Sequence, residues 1–369
     1  MKKIIAMLLA LVMVLAMAAC APSNQGETTN GSDLKVSVFW YDEGDVYLSS
    51  VRSELNKQLD ELGITYDNQY AGKDQAKQMD QVRTAVTGGS NLLVVNVVTS
   101  GSTDVAEQIL EAAGDIPVVF FNRSIGNEGA DVEILNKYTN SCFIGTDAPE
   151  AGHLQGKMIG EYLVEHYDEV DVNGDGVISY AMFKGEEGNA EAIYRTQYAV
   201  EDANKVLAEA GKEPLKYFDP NNTAMYQVDQ GGAWSAAAAK EYMDTNFVTY
   251  NEASGNMIEL VICNNDGMAE GAIASLQGAG YNTGDNHVVP VFGVDATENA
   301  KALINDGAMT GTVKQDAEGM AKAIAGTIAS LKEGKTPVDA LAAQKDDRFS
   351  IASDCASKLY VAYAPYTGE

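Results

Sequence analysis

The sequence predicts an α/β protein built from two doubly wound lobes. Three observations carry that prediction. Short β-rich runs are apolar at consecutive positions, amphipathic stretches of helical spacing lie between them, and a second series of the same kind begins after Gly145-Thr146-Asp147. Runs that are apolar at every position suit strands buried on both faces, as in parallel sheets. Alternation of strand and helix implies right-handed crossovers. The expected strands are 35–41, 92–98, 117–122, 142–146, 179–184, 258–263, 288–294 and 310–313. The expected helices are 48–62, 74–87, 103–113, 151–167, 190–210, 234–243, 268–278 and 317–331.

The chain begins with an address. Lys2 and Lys3 precede an apolar run and then small residues up to Cys20. A basic start, an apolar core and a small-residue cleavage point make a secretory signal over 1–19. The apolar run is shorter than the ~20 residues that span a bilayer. Met17-Ala18-Ala19-Cys20 resembles a bacterial lipobox, with Met where Leu is usual, so Cys20 is expected to carry lipid. Residues 20–33 are small and polar with no periodicity, which makes them a flexible tether. The expected location is therefore extracytoplasmic, on the membrane through Cys20.

About 335 residues follow the tether, enough for two domains. The net charge is −28, and loss of Lys2 and Lys3 makes it more negative still. That argues against nucleic acid, whose phosphates need Lys and Arg. Cys142 and Cys263 lie in apolar runs and read as small buried hydrophobes. With Cys355 they are too widely spaced for a disulfide framework or a metal site, although a single bridge stays open.

In doubly wound sheets, ligands sit beyond the carboxyl ends of strands. Asp45, Asn96, Asn122, Asn265 and Asp295 all follow or end an apolar run. Each alone reads as a helix cap; together they point to a polar cleft. A separate motif, Asp171-Val172-Asn173-Gly174-Asp175-Gly176-Val177-Ile178-Ser179, matches most of an EF-hand loop. Asp171, Asn173, Asp175, the Val177 carbonyl and Ser179 supply hard oxygen donors for Ca²⁺. The twelfth position is Met182 rather than Glu, so a carboxylate must come from elsewhere. Such a calcium ion would be structural.

The runs Val118-Val119-Phe120-Phe121-Asn122, Asn264-Asn265-Asp266 and Val291-Phe292-Gly293-Val294-Asp295-Ala296, taken with this loop, resemble the bacterial galactose/glucose-binding proteins of ABC sugar importers. The resemblance implies a periplasmic binding protein type I fold: two Rossmann-like lobes joined by a three-strand hinge. It divides the chain into 34–146 plus 317–361 and 147–316 plus 362–369, with hinge strands near 146–148, 315–317 and 362–365. It also implies that Glu259 completes the calcium loop.

The same resemblance implies sugar contacts at Asp45, Tyr47, Asn96, Asn189, Glu191, Arg195, Trp234, Asn265, Asp295 and Gln315. Tyr47 stands where Phe is usual and Gln315 where Asn is usual; Asn189 and Glu191 replace His and Asp. Two aromatic planes suit the faces of a pyranose, while carboxylates, amides and Arg suit its hydroxyls. The implied function is capture of a monosaccharide, D-galactose or D-glucose first, by a monomer that delivers it to an importer's membrane subunits after hinge closure. A sugar sensor presenting ligand to a membrane receptor is the alternative, with a two-carboxylate glycosidase behind it. No nucleophile elbow, P-loop or dinucleotide fingerprint supports an enzyme.

Overall fold

A computed structural model describes residues 34–284 and 287–368. The signal over 1–19, Cys20 and the tether over 20–33 lie outside the described residues, as does Glu369.

The first lobe starts with β1 (Lys35–Trp40), α1 (Val46–Glu61), β2 (Thr65–Tyr70), α2 (Gln75–Thr87), β3 (Leu92–Val95), α3 (Thr103–Ala113), β4 (Val118–Phe121), α4 (Ala130–Lys137) and β5 (Ser141–Gly145). The second holds α5 (Ala148–Val170), β6 (Ser179–Lys184), α6 (Ala190–Glu209), β7 (Lys216–Tyr217), β8 (Gln227–Val228), α7 (Ala236–Phe247), β9 (Leu260–Cys263), α8 (Asp266–Gly278), β10 (Val291–Asp295), α9 (Glu298–Asn305) and β11 (Gly311–Lys314). The chain then returns through α10 (Ala317–Lys332), α11 (Pro337–Ala342), β12 (Phe349–Ile351) and β13 (Lys358–Val361), and ends in β14 (Ala364–Tyr366).

One sheet runs β12-β13-β5-β4-β3-β1-β2 and the other β14-β11-β10-β9-β6-β7, with β8 beside β6. Pairing within each is parallel except at β12–β13 and β11–β14. The chain passes between sheets three times: after β5, after β11 and between β13 and β14. This is the two-lobed α/β fold expected. Strands β3, β4, β5, β9 and β10 are buried along their whole length, which is why they read as unbroken apolar runs. Apolar cores cover both faces of the first sheet and a third fills the second lobe. Cys142, Cys263 and Cys355 are all free thiols and buried.

Several boundaries differ from the sequence expectation. The strand expected over 92–98 stops at Val95, because the Val97 and Val98 carbonyls accept from the Arg123 guanidinium instead of a neighbouring strand. The helix expected from 234 starts at Ala236, capped by Ser235, and Trp234 lies outside it in a left-handed conformation, φ 54°. Helix α5 is longer than expected, with Pro149 in its first turn and a kink at His166. Strand β2, Thr-Tyr-Asp-Asn-Gln-Tyr, was not expected at all. It is a sheet edge, so its burial is partial and its residues polar.

Candidate functional site

The carboxyl ends of both sheets face one small cavity of about 40 Å³, lined by Asp45, Tyr47, Asn189, Glu191, Arg195, Trp234, Asn265, Asp295 and Gln315 from the expected set. Several lining residues also cap helices. Asp45 Oδ1 accepts from Leu48 N at 2.8 Å at the start of α1, Asn189 Oδ1 from Glu191 N at 2.9 Å at α6, and Asn265 Oδ1 from Met268 N at 2.9 Å at α8. Capping and lining are therefore one arrangement: the caps bring three helix N-termini to the cavity, where their dipoles favour negative or electron-rich groups.

Asn96 is the exception. It is fully buried beneath the cavity and does not line it. Its amide donates to Phe121 O at 3.1 Å and Asn122 Oδ1 at 3.3 Å, and its oxygen accepts from Tyr41 N at 3.3 Å. It holds in place Tyr41 and Asn122, which do line the cavity together with Arg123. Asn122 belonged to the polar strand ends legible in the sequence. Tyr41 and Arg123 were missed, because nothing in their local pattern separates them from ordinary loop residues.

Arg195 and Glu191 form the centre. Arg195 is almost wholly buried and donates to Asn264 O at 2.9 Å, Glu191 Oε2 at 2.9 Å, Gln315 Oε1 at 3.0 Å and Tyr363 Oη at 2.9 Å. Burial works against its charge, but Tyr363 and Glu191 beside it outweigh that and hold it protonated. Glu191 also accepts from Thr146 Oγ1 at 2.7 Å and Tyr363 Oη at 2.8 Å. Thr146 and Tyr363 flank the first and third crossings between lobes, and Gln315 lies on the second. One more methylene than Asp lets Glu191 reach these crossings.

Asp295 is buried, and its carboxyl is pushed far above the ordinary range, chiefly by desolvation, with Arg195 opposing and Asp266, Asp45 and Glu191 adding to the rise. Its φ of 127° and Ala296's of 55° strain the backbone where β10 meets the cavity. Trp234 packs flat on Gly185, where a Cβ would stand 2.1 Å from the indole, so this close approach needs glycine. Among the described residues three buried polar atoms here have no partner: Tyr47 Oη, Arg195 Nε and Gln315 Nε2.

Arg123 reaches across the cleft. It stacks on Tyr41 at 4.1 Å and pairs with Glu186 at 2.8 Å. Tyr41 Oη in turn donates to Asp45 Oδ2 at 2.8 Å.

The loop over 171–179 folds on itself. Asp171 Oδ2 accepts from Gly176 N at 2.8 Å, Asn173 Oδ1 from Asp175 N at 2.9 Å and Asp175 Oδ1 from Val177 N at 2.9 Å. Glu259 arrives from the residue before β9 and accepts from Ser179 N at 2.9 Å and Asn173 N at 3.3 Å. Its pKa is raised by burial first, with Asp171 and Asp175 adding to the rise. No group of three or more His, Cys, Asp or Glu side chains among the described residues stands as a metal site by itself. The oxygens in and beside the loop are mixed: three carboxylates with the Asn173 amide oxygen and the Val177 carbonyl, and the Ser179 hydroxyl, which donates to Met257 O. All are hard oxygens of the kind Ca²⁺ takes.

A family model described as a periplasmic binding protein domain matches residues 36–336. The chain is 31% identical over 322 residues to the D-galactose/methyl-galactoside binding periplasmic protein MglB of Haemophilus influenzae, covering 86% of this chain and 87% of that one. It is 27% identical over 349 residues to the multiple sugar-binding periplasmic receptor ChvE of Rhizobium radiobacter, covering 91% and 87%. Among solved structures, an ABC transporter solute binding protein from Clostridium phytofermentans with bound beta-D-glucose superposes with a TM-score of 0.67 at 20% identity, covering 90% of this chain and 94% of that one. One from Bacillus halodurans with bound myo-inositol gives 0.63 at 22% identity, covering 92% and 96%. At those identities the structures speak for the fold alone.

Proposed function

The chain belongs to the periplasmic binding protein domain family, and we propose that it is the extracytoplasmic receptor of an ABC importer that captures a monosaccharide, D-galactose or D-glucose first, between its lobes. It is a binding protein and not an enzyme, as are the relatives it matches.

The observation that carries this reading is the set of unsatisfied polar atoms around one cavity. Tyr47 Oη, Arg195 Nε and Gln315 Nε2 lack protein partners, and the buried Asp295 carboxyl lines the same cavity. A buried polar group left unpaired costs about 1–3 kcal/mol. A ligand carrying several hydroxyls satisfies donors and acceptors together, since each hydroxyl does both. Trp234 and Tyr47 supply the aromatic planes for its apolar faces. Tyr47 is held protonated by burial, so its hydroxyl stays a donor.

The cavity draws Asp45, Tyr47 and Asn122 from one lobe and Asn189, Glu191, Arg195, Trp234, Asn265 and Asp295 from the other. A sugar bound to both sets stabilises the closed arrangement over the open one, and closure is the signal a transporter reads. The loop over 171–179 with Glu259 holds a structural Ca²⁺ in this reading. Lipid on Cys20 tethers the chain, which acts as a monomer.

A thermal-shift screen of hexoses and pentoses, followed by calorimetry, tests the proposal. Galactose or glucose is expected to give the largest rise in melting temperature, since a ligand bound only by the native state stabilises it by mass action. A screen in which no monosaccharide shifts the transition overturns the reading.

A further inference from the structure

The sugar cavity has a neighbour. A groove of about 400 Å³, partly open to solvent, lies between the same two lobes beside the first crossing. Asn122 and Glu191 line both spaces, so these two side chains form the wall between them. The groove presents an aromatic ring from each lobe: Tyr360 from β13 and Tyr194 from α6.

Its polar groups are incompletely used. Asp147 precedes α5, but its side chain makes no capping bond. Burial and the nearby Glu191 raise its pKa. Asn127 spends its amide on Gly188 O of the other lobe at 3.0 Å, and its Oδ1 is buried with no partner. The buried Lys358–Asp131 pair, 2.8 Å apart, closes the first-lobe side. Rings for apolar faces and spare acceptors for hydroxyls repeat the chemistry of the sugar cavity one step along the cleft.

We propose that this groove is a second subsite, and that the protein takes glycosides whose first ring fills the cavity while a second sugar ring lies between Tyr194 and Tyr360. The inference rests on the monosaccharide reading above. The substituent leaves the first ring past Asn122 and Glu191. Because both lobes wall the groove, the second ring also adds to closure.

Calorimetry with galactose, glucose, their methyl glycosides, and lactose, melibiose, maltose and cellobiose tests this. At least one disaccharide is expected to bind as tightly as its parent monosaccharide or within about tenfold, roughly 1.4 kcal/mol. Ile193→Trp places a large ring in the groove from an exposed position outside the sugar cavity. It is expected to weaken that disaccharide about tenfold or more and leave the monosaccharide within about twofold. Tyr360→Ala is expected to act in the same direction by removing the platform. If monosaccharides bind and every disaccharide fails, the second subsite is wrong and the first reading stands. Equal effects of both variants on monosaccharide and disaccharide also overturn the subsite. If no monosaccharide binds, the parent reading falls with it.

Discussion

The sugar cavity and the loop over 171–179 both gather carboxylates, yet they treat their polar groups in opposite ways. In the loop, Asp171, Asn173, Asp175 and Glu259 all accept from the loop's own backbone N–H groups. In the cavity, Tyr47, Arg195 and Gln315 each keep a buried polar atom without a partner. The loop's own backbone holds its shape. The cavity reserves its polar atoms for something not of the protein. Unsatisfied polarity marks a site for exchangeable ligands, and satisfied polarity marks one for scaffolding.

The largest effect should come from the residue that joins the cavity to the crossings. Arg195→Ala removes the ion-pair partner of Glu191 and three further hydrogen bonds. Truncating one member of a buried charged pair costs about 2–5 kcal/mol, so calorimetry should show sugar affinity falling by about a hundredfold or more. Arg195→Lys keeps the charge but loses the fork, and should recover only part of the loss. Near-normal affinity in Arg195→Ala would erase the contrast, because the cavity would then be as self-sufficient as the loop.

How much of this was legible in the sequence follows the same division. The parallel strands were legible because burial on both faces leaves no polar position to blur them. The turn over 171–179 was legible because its Asp, Asn and Gly residues are local in sequence and regularly spaced. Nine of the ten expected cavity residues line the cavity, because polar residues at strand ends are forced there by the topology. Asn96 misled for an instructive reason: it too ends a strand, but it points beneath the cavity and braces Tyr41 and Asn122. Arg123 was invisible because its role depends on Glu186, far along the chain in the other lobe. Edge strand β2 was invisible because an edge needs no apolar run.

A middle-sized effect belongs to the loop. If Ca²⁺ binds there, chelation should lower the melting temperature and leave sugar contacts intact. An ion present at about a hundred times its dissociation constant contributes about 2.7 kcal/mol, worth about 2–4 °C per kcal/mol for domains of this size. Glu259→Gln should melt early with or without chelator while keeping galactose or glucose affinity within about threefold. Identical melting curves before and after chelation in the wild type would remove the ion from the loop.

The smallest effect is a pH dependence that should appear in the cavity. Burial raises the Asp295 carboxyl far above the ordinary 3.8, so the free protein keeps it protonated well beyond the usual carboxylate range. The sign for stability is fixed: a raised pKa contributes stability that is fully present below the unfolded value and is lost as pH rises through the folded one. For binding, hydroxyls that donate to Asp295 favour its ionised form and lower its pKa in the complex. The complex therefore holds fewer protons than the free protein, and sugar affinity rises with pH between the bound and free values. Asp295→Asn cannot ionise and should flatten that dependence even where it weakens binding. Glu259→Gln should leave the dependence unchanged, because its carboxylate already answers to Ser179 and Asn173 rather than to the sugar. Affinity measured across pH in the three proteins decides it: an unchanged slope in Asp295→Asn would move the titrating group out of the cavity and remove Asp295 as the acceptor of a ligand hydroxyl.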